Sequence, residues 1–175
     1  MTEEHSVIGK RLPRLDGPVK ATGQASFAGD LNLPRMIQGK ILRSPHPHAR
    51  ILNIDTSRAR SLPGVKAIVT GKDTIGRKYN VLRFKESFAD EYLLAMDKVR
   101  FIGDPVAAVA AVDEDTAQEA LDLIRVEYEV LPAVFDPLEA MKLGAPQIHE
   151  GVENNISASP GYHIGDVEKG YAESD

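Results

Sequence analysis

The sequence predicts an α+β domain, a mixed sheet with one main helix near residues 114–125. Three observations carry that prediction. VAAVAAV, Val106 to Val112, is apolar at every position, as expected of a strand covered on both faces. DEDTAQEALDLIR follows at once and places Ala117, Ala120, Leu121 and Ile124 at i, i+3, i+4 and i+7, one buried face of a helix. VEYEV then alternates Val126, Tyr128 and Val130 against Glu127 and Glu129, the period of a strand with one dry face.

The other elements follow in chain order. The first thirty or so residues are turn-rich (LDGP, ATGQ, AGD), with Gly17 and Gly23 placed for chain reversal or positive φ. MIQGKILR, Met36 to Arg43, reads as a strand weakened by Gly39. RILNIDTS reads as the next strand, ending where Thr56 or Ser57 can cap a short helix through Leu62. Pro63-Gly64 stops that helix, and VKAIVT, Val65 to Thr70, forms a strand. Residues 71–97 show no clean period and are expected to be loops with short helical pieces. KVRF, Lys98 to Phe101, reads as a strand before the bend IGDP. Asp113 is suited to cap the main helix, with Glu114 and Asp115 in the first turn where the helix dipole favours negative charge.

After about Asp136 the character changes. DPLEAMKLG suits a short helix, GVENNISASPGYHIG is a long polar run, and GDVEKGYAESD suits a helix start capped by Asp166. The expectation is a domain over 1–135 with an N-terminal arm, then a connector over 136–175 toward a further domain.

Composition narrows the function. Hydrophobic residues make up 42% and charged residues 27%, which suits a folded soluble domain rather than a disordered chain. A net charge of −5 with scattered Lys and Arg argues against nucleic acid as a partner. With no cysteine, the sequence holds no disulfide, iron–sulfur ligand, thiolate zinc site or cysteine nucleophile. No apolar run is long enough to span a bilayer and the first residues lack a secretory pattern, so a cytoplasmic location without membrane contact is expected.

The chemical motifs mostly resolve into structure. GVKAIVTGKD fails as a phosphate loop: six residues separate Gly64 from Gly71, and Asp73 stands where a magnesium-holding hydroxyl belongs. No GxGxxG follows a strand, and no serine sits in a GxSxG elbow. RSPHPHARI, Arg43 to Ile51, is the sharper case. His46 and His48 in extended geometry project to one side and offer two ligands, whereas a zinc site wants three or four. His5, His149 and His163, the other histidines, lie in the least ordered segments, so a small zinc protein is the weaker reading. Pro45 and Pro47 instead make the stretch a rigid bend between two strands.

Taken in order, RLDGPVKATGQASFAGD, GKILRSPHPHARILNIDTS, LPGVKAIVTGKD, DKVRFIGDPVAAVAA and ALDLIRVEYEVLPAVFDPLEAM resemble one family. It is the molybdenum-binding large subunit of the xanthine dehydrogenase/aldehyde oxidase family, matched over its N-terminal α/β-hammerhead domain, residues 8–142 here. Within it, ILRSPHPHARILNIDTS and DKVRFIGDPVAAVAAVDEDTAQEALDLIRVEYEVLPA resemble the alpha subunit of 4-hydroxybenzoyl-CoA reductase, which removes a phenolic hydroxyl from an aromatic coenzyme A thioester.

The resemblance implies a molybdopterin-bound molybdenum in the longer chain, with iron–sulfur clusters and FAD on companion subunits or domains. It implies that the molybdopterin-binding domains of the same subunit, and the iron–sulfur and flavin subunits, are the partners. The family's glycine-rich cofactor loops and catalytic glutamate have no counterpart in these residues. No catalytic, cofactor-binding or metal residue is therefore assigned, and the fragment alone is expected to be inactive. Arg43, His46, His48 and Asp104 become candidate contacts to a neighbouring cofactor domain. Family alternatives are a xanthine, aldehyde, carbon monoxide or N-heterocycle dehydrogenase. An alternative of another class is a non-catalytic interaction module whose 136–175 arm orders on a partner.

Overall fold

The computed structural model describes residues 7–79, 91–157 and 164–174. His5, His163 and residues 80–90 of the unperiodic segment lie outside the described residues. The chain divides into two compact units, Met1–Met36 and Ile37–Asp175.

The first unit is held by local contacts. Helix α1, Gly17–Ala21, begins with Pro18 in its first turn and is flanked by ion pairs from Asp16 to Arg14 and Lys20. Gly17 therefore starts a helix rather than reversing the chain, while Gly23 takes a φ of +72° as expected. None of its described residues is fully buried, and Leu15, Phe27, Leu31 and Leu33 are all exposed.

The second unit holds the core. Among the described residues its strands are β1 (Gln38–Arg43), β2 (Ala49–Asp55), β3 (Val65–Thr70), β4 (Lys78–Tyr79), β5 (Glu91–Tyr92), β6 (Lys98–Val99), β7 (Pro105–Ala111) and β8 (Arg125–Val130). They form three antiparallel sheets, ordered β1-β7-β3, β6-β2-β8 and β4-β5, where the sequence suggested one mixed sheet. A parallel pair needs a crossover that returns to the same sheet. The main helix α3, Glu114–Leu123, instead carries the chain from β7 in one sheet to β8 in another.

That helix follows its pattern closely. The Asp113 carboxylate accepts from Thr116 N–H at 2.7 Å, a cap that contributes about 1 kcal/mol. Ala117, Ala120, Leu121 and Ile124 are all buried. Leu121 and Ile124 join Ala59, Ile68, Ala107, Val109 and Ala120 in one core cluster, and each large member adds roughly 1.5–3 kcal/mol by leaving water. Ala49, Ala95, Val99 and Val106 form a second cluster, and Ile54 and Val126 pack against both. The two sheets meet there.

Four expectations are corrected. The short helix α2 is Ser57–Arg60 and ends before Leu62; Thr56 stands at its N-cap as expected but without a side-chain cap bond, and the Asp55 carboxylate accepts Ser57 N–H at 2.9 Å instead. The segment after β3 contains the β4–β5 pair besides a 3-10 turn, Gly71–Thr74. Val126 and Tyr128 are half-buried but Val130 is 62% exposed, so the dry face of β8 ends one residue pair early. The apolar run is the central strand β7, yet one of its faces closes only at the start. Ala107, Val109 and Ala111 are buried on one face; on the other, Val106 is buried, Ala108 and Ala110 are half-buried and Val112 is exposed.

Beyond β8, α4 (Pro137–Ala140) is capped by Asp136 and α5 (Val167–Ala172) by Asp166.

Candidate functional site

The loop joining β1 to β2 carries RSPHPHA, and both of its ends are tied down. Ser44 N–H donates to the Asp104 carbonyl at 2.9 Å, and Gly103 N–H donates to the Ser44 carbonyl at 2.8 Å. Arg43 Nη1 donates to the Gly103 carbonyl at 2.9 Å. The loop is thereby laced to the turn before β7. The Asp104 carboxylate closes that turn by accepting Arg100 N–H at 2.9 Å. Burial pushes its carboxyl above the usual range, against the Arg100 N–H and guanidinium, which pull it down.

Inside the loop the buried Ser44 hydroxyl works in both directions. It accepts from His46 N–H at 3.0 Å and donates to the His46 carbonyl at 2.9 Å, which makes the chain bend at Pro45. The His46 ring stands edge-on to Tyr128, 4.9 Å between centroids. Burial raises the Tyr128 phenol, partly offset by the Ser44 hydroxyl. His48 is only 4% exposed; its Nδ1–H donates to the Pro132 carbonyl at 2.6 Å, and its carbonyl accepts Leu131 N–H at 2.9 Å. The two imidazoles are committed to partners four residues apart on the same extended segment.

The structure thus brings Arg43 and Asp104 together at the 100–104 turn, with His46 in the same loop against Tyr128, while His48 is held separately by Pro132 and Leu131. It also shows a feature that the sequence did not. Lys98 and Arg100 have side chains only 9% and 10% exposed, and both reach the single carboxylate of Glu150, at 2.5 and 2.8 Å. Burial raises the Glu150 carboxyl, but those two cations outweigh it and hold it at about 2. Glu150 stands fifty residues from Arg100 in a polar run without periodicity, so no local signal announces the pairing. His48, Arg50, Lys98, Pro132, Gln147 and Glu150 line the groove beside it.

Chemically, this corner positions backbone. Its backbone N–H groups and His48 Nδ1 are spent on carbonyls and on the turn, while the buried His48 Nε2 and Arg100 Nε have no hydrogen-bond partner among the described residues. Among the described residues no three or more His, Asp or Glu side chains converge as metal ligands. With His48 Nδ1 on Pro132, the His46 ring on Tyr128 and Asp104 on the Arg100 amide, the residues do not fit a molybdenum centre or its pterin. Among the described residues no helix is long and apolar enough to cross a membrane.

Residues 22–132 match the domain described as "Aldehyde oxidase and xanthine dehydrogenase, a/b hammerhead domain". The chain belongs to that family. The hammerhead domain is also similar to known proteins along nearly its whole length. A probable xanthine dehydrogenase component of Bacillus subtilis is 41% identical over 162 residues, 93% of this chain and 21% of the relative. The nicotinate dehydrogenase large molybdopterin subunit of Eubacterium barkeri is 37% identical over 175 residues, 100% of this chain and 40% of the relative. Among solved structures, the Cu,Mo-CO dehydrogenase in its carbon monoxide-reduced state superposes with a TM-score of 0.75 at 33% identity, covering 94% of this chain and 22% of that one. The chain therefore spans between about a fifth and two-fifths of the length of these relatives.

Proposed function

We propose that this hammerhead domain is the N-terminal architectural part of a molybdenum-dependent oxidoreductase large subunit, with molybdopterin bound by later domains of the same chain. Residues 1–135 act as the domain and 136–175 as the connector, and the complex works in the cytoplasm with iron–sulfur and FAD-bearing companions. The observation that carries the reading is the hammerhead match over residues 22–132, in a chain that spans only 21% and 40% of its dehydrogenase relatives. Arg43, His46, His48 and Asp104 serve as the contact corner toward the cofactor domains: the exposed Arg43 and half-buried His46 meet them, and the buried His48 and Asp104 hold the loop and turn in place. Loss of the imidazole in His48→Gln should disturb assembly or turnover of the intact enzyme and leave its molybdenum content unchanged.

The narrower reading is reductive dehydroxylation of an aromatic coenzyme A thioester, supported by the resemblance of ILRSPHPHARILNIDTS and its companion stretch to 4-hydroxybenzoyl-CoA reductases. A second reading is oxidation of a purine or N-heterocycle, favoured by the similarity to components of a xanthine dehydrogenase and a nicotinate dehydrogenase. Turnover of the intact complex should be screened against aromatic CoA thioesters, purines, nicotinate and aldehydes. Selective turnover of the thioester supports the first; oxidation of the heterocycles alone supports the second. Molybdenum bound stoichiometrically by the 175-residue polypeptide would overturn the architectural reading.

A further inference from the structure

The open face of the β1-β7-β3 sheet has no use within the domain. Opposite α3, the register sets Ile41 beside Ala108 and Ala108 beside Val69. The neighbouring row sets Gly39 beside Ala110 and Ala110 beside Ala67. Ile41 is 45% exposed and Val69 is 40% exposed, and no charged side chain stands in either row. Ile37 and Val112, at the same end of β1 and β7, are 53% and 45% exposed. This is an apolar face, open beyond the buried Val106, in the middle of a sheet whose other face is covered by α3.

Gly39 shows how close the missing neighbour comes. A glycine inside a strand weakens it and marks either a bulge or a place where another backbone approaches. Gly39 sits in continuous register, outside the bulge at Leu42/Arg43, and its φ is not positive. A Cβ built there would meet nothing nearer than the Val109 carbonyl, at 3.9 Å. The domain's own packing thus leaves room for a side chain that the sequence omits.

We infer that this face is the seat of the rest of the large subunit: an apolar segment beyond these 175 residues lies across the Gly39–Ala110–Ala67 row, with Ile41 and Val69 beside it. The inference rests on the reading proposed above and names the surface through which the domain joins its parent chain. Length supports this occupant over a second copy. In the Cu,Mo-CO dehydrogenase the matching fold is 22% of a single chain, and in the Bacillus subtilis relative it is 21%. A layer from such a chain closes the sheet without an oligomer. Its chemistry is that of a two-layer core, aliphatic or aromatic side chains standing over small residues.

Because these 175 residues contain no cysteine, Ile41→Cys and Val69→Cys give single probes in the short chain and can be followed as their own peptides in the intact subunit. Maleimide labelling of each variant is followed by mass spectrometry in the 175-residue chain and in the intact large subunit. Molybdenum content of the intact subunit is measured in parallel and reads the underlying assignment separately. Both cysteines should label freely in the short chain and at least roughly tenfold more slowly in the intact subunit. Gly39→Leu should leave the melting temperature of the short chain within a few degrees and abolish the intact subunit's recovery in soluble form. Equal labelling in both chains, with molybdenum present, overturns this inference and leaves the assignment standing. Protection in the short chain that grows with its concentration overturns it in favour of a second copy. Protection there that vanishes when residues 1–36 are removed overturns it in favour of the N-terminal arm. An intact gene product that binds no molybdenum sinks the assignment itself.

Discussion

Val109 on β7 and Glu150 in the segment after β8 are both held by tertiary partners, but by different forces. Val109 is 2% exposed among Ala107, Ile68 and Leu121, so its position comes from apolar area removed from water. Glu150 has a side chain 68% exposed and is held by two cations. No described residue between 131 and 157 is fully buried, and that stretch keeps its path through polar contacts alone or beside half-buried apolar groups. The lesson is one of cooperativity. The sheet and α3 should unfold as a unit, while residues 131–157 can open locally at lower free energy.

The largest effect should come from Gly71, which has the least room for a side chain among the described glycines. A Cβ there would stand 2.2 Å from the Ala95 carbonyl oxygen and 2.9 Å from Met96 Cα, both backbone. Gly71→Ala should cost about 3 kcal/mol or more and lower the melting temperature measured by circular dichroism, with loss of the β3–β6 region's packing. An unchanged melting temperature would show that this close approach is not rigid. Val109→Ala should cost about 2 kcal/mol in urea denaturation, with one cooperative transition retained. A second transition would break the claim that β7 and α3 unfold together.

The segment 131–157 should respond differently. The Asn155 amide donates to the Ala140 and Pro146 carbonyls at 2.9 and 3.0 Å and accepts Ile148 N–H at 2.9 Å, from a backbone φ of +55°. Asn155→Ala should speed hydrogen exchange at Ile148 by a local cost of about 1–2 kcal/mol and leave exchange in β7 unchanged. Acceleration in β7 as well would erase the distinction between the two regions.

The smallest effect concerns Glu150. Its carboxyl is lowered from the ordinary 4.5 to about 2, so its ion pairs contribute fully above 4.5 and are lost as pH falls toward 2. With the carboxylate this exposed, solvent screening limits the contribution to about 0.5 kcal/mol. Exchange protection around residues 147–152 should fall across that window in the native chain and be reduced and flat across it in Glu150→Gln. A pH response that persists in the variant would assign it to another group.

Much of the fold was legible locally. The cap at Asp113 and the spacing of Ala117, Ala120, Leu121 and Ile124 placed α3 almost to the residue. Pro45 and Pro47 marked the bend between β1 and β2. What failed to show was non-local. Nothing near Gly71 indicates the Ala95 carbonyl, and nothing near Glu150 indicates Lys98 and Arg100, because each pairing depends on how distant segments meet. β7 was legible as a strand but not as one left half-open on one face beyond Val106, since an Ala/Val run looks alike in either setting.

By itself, then, the chain's order of apolar and capping residues determined where helix and strands form, since those preferences act over a few neighbouring positions. It also carried the family resemblance, with which the hammerhead match and the superposed dehydrogenase agree. Only the tertiary structure decided that the sheets are antiparallel, that Asp104 and its turn meet the loop of Arg43 and His46, and that one carboxylate pairs with two buried cations. Those outcomes depend on burial and on distances across many residues, and neither quantity is written in any short stretch of sequence.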